Sequence, residues 1–137
     1  SGGPVIVGVF ATTGARHPAT DAVERAAARR GWTRPDWYVH LKTELEPYVT
    51  RKLADLATAA GLTVVEVTDE DVVAGLDTAD ALVGWRLSGP ALADFVTSLQ
   101  VGERDALAAE AAAALGSDVP ELQLGVRILA SVVPAAR

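Results

Sequence analysis

Three short runs of β-branched and other apolar residues, separated by helix-patterned stretches of about 50 residues, constrain this chain more than any other feature. They lie near 5–10, 62–68 and 126–133. Strands that far apart in sequence are not joined by tight hairpins. A connection of this length, carrying helices, suits a right-handed crossover to a parallel neighbour. Val5-Ile6-Val7-Gly8-Val9-Phe10 holds no charge and reads as a strand buried on both faces, as inside a parallel sheet. In the second run Leu62, Val64 and Glu66 share one face, and Val65 and Val67 the other. Pro134 stops the third, since proline cannot continue a sheet ladder. Periodicity leaves the direction of this last strand open. The fold class expected is α/β.

Helix signals fill the intervals. Pro18 opens a helix whose Val23, Ala26, Ala27 and Arg30 follow helical spacing, and Gly31 closes it. Thr33-x-x-Asp36 starts a second, placing Trp37, Leu41 and Leu45 on one face. A third begins near Pro47, with Val49, Leu53, Leu56 and Ala60 as its core stripe. Asp69-Glu70-Asp71 lacks the ligand spacing and turn glycine of a calcium loop and reads as a solvated helix start, capped by Thr68-x-x-Asp71. Helices then begin at Asp77-x-x-Asp80 and after Pro90, and an alanine-rich one runs from Gly102 to Leu115, with Leu107, Ala111 and Leu115 at core spacing, ended by Gly116. Residues 1–137 are read as one domain or the C-terminal part of one, with 69–125 a helical insertion before the last strand.

Composition narrows the function. Net charge is −6, only Lys42 and Lys52 are lysines, and no basic cluster stands out, so no nucleic-acid surface is expected. No apolar run approaches the roughly 20 residues of a membrane-spanning helix. Without cysteine there are no disulfides or thiolate metal sites. Residues 1–4 lack a basic leader, and a cytoplasmic location is expected. No Gly-x-Ser-x-Gly occurs to support a hydrolase.

Three segments together resemble the C-terminal half of a class I S-adenosylmethionine-dependent methyltransferase. Gly2-Gly3-Pro4 leading into Val5–Phe10 resembles the family's fifth strand. Ala59-Ala60-Gly61-Leu62-Thr63-Val64-Val65-Glu66-Val67 resembles the end of its fifth helix and its sixth strand. Leu124-Gly125-Val126-Arg127-Ile128-Leu129-Ala130 resembles its final strand, which in that family inserts antiparallel between the other two. The resemblance implies a three-stranded, partial Rossmann-like methyltransferase sheet. It implies a substrate-side segment of a small-molecule methyltransferase, with S-adenosylmethionine bound by the parent protein. The glycine-rich cofactor turn has no match here, so the segment alone is not expected to bind that cofactor or to catalyse. The abrupt start at a buried-type strand implies a missing N-terminal half or, if the strand's edge is bare, a homodimer formed across it. The other reading is a non-catalytic α/β module that binds a ligand or partner.

Candidate substrate-binding residues follow. Phe10 and His17 lie where the first strand ends, and ligands of α/β sheets bind beyond carboxyl ends of strands. Trp32, Trp37, Tyr38 and Trp85 carry much of the aromatic surface, and of these Trp37, Tyr38 and Trp85 are taken as pocket candidates. Arg86 follows Trp85 in the insertion that, in the resembling family, often covers substrate. No catalytic base and no metal site can be named from the sequence.

Overall fold

A computed structural model describes residues 2–11 and 16–134. In order these form β1 (Pro4–Phe10), α1 (Pro18–Ala28), α2 (Asp36–His40), a π-helical turn (Leu41–Leu45), α3 (Glu46–Ala59) and β2 (Thr63–Val73). There follow α4 (Ala79–Leu87), α5 (Pro90–Ser98), α6 (Val101–Leu115) and β3 (Gln123–Val132). The chain divides into two compact units. A sheet unit takes Ser1–Thr13, Val39–Val72 and Gln123–Arg137; a helical unit takes Gly14–Tyr38 and Val73–Leu122.

In the sheet unit β3 stands between β1 and β2. It runs antiparallel to β1, with Pro4 opposite Val132 and Phe10 opposite Val126, and the three-stranded sheet is antiparallel throughout. Alternation sends Val7 and Val9 of β1 to the face where Leu129 packs against Leu53 and Ala57 of α3. Ile6 and Phe10 point to the opposite face and are 74% and 66% exposed. The first strand is therefore covered on one face rather than buried on both, because an antiparallel sheet needs only one packed face. On α3 the buried stripe is Leu53 and Ala57, while Leu56, expected in that stripe, is exposed. The Asp69-Glu70-Asp71 run is not a helix start; it lies inside β2. Arg127 of β3 forks onto Asp69 at 2.6 and 2.7 Å and donates to the Thr50 carbonyl at 2.7 Å. This hydrogen-bonded fork, followed by a smaller opposing effect of burial, holds the Asp69 carboxyl below its ordinary range.

This sheet overturns the methyltransferase reading. A Rossmann-like sheet sets parallel strands around a cofactor crevice. Here the strand pairs are antiparallel, and β1 pairs with β3 rather than with the parallel neighbour that the length of the first connection suggested. The central, antiparallel place of β3 is the one point of the resemblance with a counterpart, and the order of three strands does not carry the rest. The partial Rossmann-like methyltransferase sheet and the substrate-side role are both corrected on this ground. The methyl acceptor rests on that identity and falls with it.

The helical unit follows from its caps. His17 caps α1: its Nδ1 accepts from the Ala19 N–H at 3.1 Å, and Pro18 takes the first turn. Thr78 caps α4, and Gln100 with Glu103 forms a capping box on α6. Gly116 ends α6 at φ 73°, a conformation glycine adopts without a Cβ clash. Val23, Ala26 and Ala27 of α1 pack with Val83 of α4, Leu92 of α5 and Leu107 and Ala111 of α6. The alanines let α1 and α6 come close, and the leucines fill what remains. Among the described residues no helix is long and apolar enough to cross a membrane.

Candidate functional site: an arginine-lined groove

One face of α1 is apolar, yet it carries a buried carboxylate. Glu24 is only 8% exposed, next to Val23 at 0%. A buried carboxylate is stable only when paired and hydrogen-bonded, and here three arginines supply the partners. Arg16 reaches Oε2 at 2.5 Å, Arg34 meets the same oxygen, and Arg86 of α4 donates to Oε1 at 2.6 Å. Burial raises the carboxyl's pKa, but the hydrogen bonds from Arg34, Arg86 and Arg16 outweigh it and hold Glu24 below the ordinary carboxylate range. Glu24 is therefore ionised at neutral pH.

The three arginines differ in setting. The Arg86 side chain is 8% exposed, so its pair with Glu24 is a buried one. Its guanidinium lies 5.7 Å from the Tyr38 ring centroid, within cation–π range, and its Nε has no hydrogen-bond partner among the described residues. Arg16 and Arg34 are 42% and 41% exposed. Arg16 also bonds Asp21 at 2.6 Å, whereas Arg34 has no partner but Glu24 among the described residues.

Beside this cluster an open groove of about 660 Å³ is bounded by Ala28, Trp32 and Thr33 and by the charged Arg16, Asp21, Glu24, Arg25 and Arg34. Its size falls within the range of small-molecule sites. Trp32 is rigid, since its Nε1 donates to the Ala91 carbonyl at 3.2 Å and its ring joins the core. The charged lining holds three arginines against two carboxylates, and Arg86 adds a further positive charge through Glu24. The groove is thus positive in a chain whose net charge is −6.

The residues singled out in the sequence are only partly brought together. Tyr38 and Arg86 meet at the cluster, and Trp37 stacks edge-on against Tyr38 with centroids 5.6 Å apart. Trp37 is 52% and Trp85 38% exposed. His17 serves as the helix cap described above, with Nε2 lying 2.9 Å from the Pro120 carbonyl. Phe10 belongs to the sheet unit. Trp32 was noted among the aromatics, whereas Glu24, Arg16 and Arg34 were not anticipated. A signal for them existed: five of the chain's arginines lie between 16 and 34, and Glu24 interrupts the apolar stripe of α1.

No family model, curated protein or solved structure matches the chain. The S-adenosylmethionine expected for a parent protein is corrected here too: among the described residues there is neither a Rossmann-type cofactor site nor a cofactor-coordinating cluster. What remains is a positive groove with an apolar flank.

Proposed function

We propose that the chain is a ligand-binding module whose site is the groove of the helical unit. One observation carries this reading: Arg16, Arg34 and Arg86 converge on the single buried carboxylate of Glu24 at the groove's border. A structural ion pair needs one arginine. Here a buried one holds Glu24, and two half-exposed ones line an open concavity beside a rigid tryptophan. Arg86 and Tyr38 keep a place in this reading as the support that fixes Glu24; Phe10, His17, Trp37 and Trp85 are given no role in binding.

A thermal-shift screen of small molecules tests it, because a ligand that binds only the folded state raises the melting temperature. Ala28 is exposed and borders the groove, so Ala28→Trp fills the space without touching the core. Compounds that stabilise the natural chain and fail to stabilise Ala28→Trp are the expected result. Compounds that stabilise both equally, or a screen with no stabilising compound, would contradict it.

A further inference from the structure

The geometry points to an oxyanion, carboxylate or phosphate, on a small apolar body as the ligand of this groove, an inference that rests on the reading of the groove as a binding site. The argument begins with donors. A guanidinium presents five N–H groups in a fixed fork. Arg34 uses one edge of that fork on Glu24, and its Nε and Nη1 have no partner among the described residues. The side chain is held by Glu24 and is 41% exposed, so its remaining donors are positioned by the ion pair yet accessible. Arg25, also at the groove, is exposed and makes no ion pair among the described residues. Charge gives the same sign. The lining carries one positive charge more than it balances, and Arg86 adds another. A neutral ligand would leave this excess in place, whereas an oxyanion compensates it and accepts from the open fork. Ala28 and the Trp32 side supply the apolar contact for the ligand's body.

Glu24 has a part in this selection. It takes up one face of Arg34 and so leaves the other face for the ligand. Being ionised, it also repels an anion that approaches from its own side. Arg86 is a positioning residue, since it fixes Glu24 without lining the groove.

Titration calorimetry with benzoate, phenyl phosphate and benzyl alcohol, probes that share a ring and differ in the head group, tests the inference on the full chain. Either anion, or both, should bind, with benzyl alcohol at least tenfold weaker; comparing the two anions tells carboxylate from phosphate. Arg34→Gln should weaken the anion at least tenfold and Arg34→Lys less, because lysine keeps the charge and loses the fork. Arg25→Gln, at a side chain without an ion pair among the described residues, should weaken it severalfold and serves if Arg34→Gln folds poorly. Benzyl alcohol binding as tightly as the anions, lost in Ala28→Trp, would overturn the anionic class while leaving the groove as the site. Anion binding that survives both arginine substitutions, or no anion binding at all, would overturn the inference outright.

Discussion

Glu24 sets the chemistry of the helical unit because three guanidinium groups compete for two oxygens. Its carboxyl lies below the ordinary value of about 4.3. The sign of the pH effect follows from that direction. The unfolded chain binds the proton at higher pH than the folded chain, so stability rises with pH across the interval between the two values. The contribution is complete above the ordinary carboxylate value and is lost as pH falls through the lowered one. Glu24→Gln leaves the buried Arg86 uncompensated and should destabilise by about 3–5 kcal/mol at neutral pH. The difference between the variant and the natural chain should narrow when both are unfolded by denaturant below pH about 4. A difference that stayed constant with pH would show that Glu24 does not titrate with folding.

At the scale of elements, much of the chain was legible because its signals are local. Pro18 and Pro90 begin helices where the first-turn preference of proline places them, and Gly31 and Gly116 end helices at positive φ. Val23, Ala26, Ala27, Leu107 and Ala111 are buried where helical spacing puts them. What failed depends on partners distant in sequence. Thr68-x-x-Asp71 has the pattern of a cap, but the segment lies inside β2, where Asp69 pairs with Arg127, 58 residues further on. Val5–Phe10 has the composition of a doubly buried strand, and only its antiparallel pairing with β3 reveals one open face. The site was less legible still, since Glu24 gathers partners 8, 10 and 62 residues away and periodicity reports no such convergence. The packing of α6 gives a separate prediction. Leu107 is 1% exposed among α1, α4 and α5 residues, so Leu107→Ala should cost about 2–5 kcal/mol in denaturant unfolding. Val101→Ala, at a 70% exposed site on the same helix, should stay within about 0.5 kcal/mol. Equal effects at the two sites would mean that α6 does not pack as described.

At the scale of the whole molecule, an antiparallel sheet unit and a helical unit share one chain that enters and leaves each more than once. The sheet unit builds its core from α3 against β1 and β3, while the helical unit builds its own from α1, α4, α5 and α6. Among the described residues only the helical unit combines a concave surface, a positive excess and a rigid aromatic flank, and the account assigns binding to it. Amide chemical-shift mapping on the labelled full chain during addition of whichever anion binds, benzoate or phenyl phosphate, tests that assignment most directly. The account predicts saturable shifts concentrated at residues 16–34 and around Tyr38 and Arg86, absent from Ile6 and Phe10 on the open face of β1. Shifts centred on β1 and β3, with residues 16–34 unmoved, would contradict it.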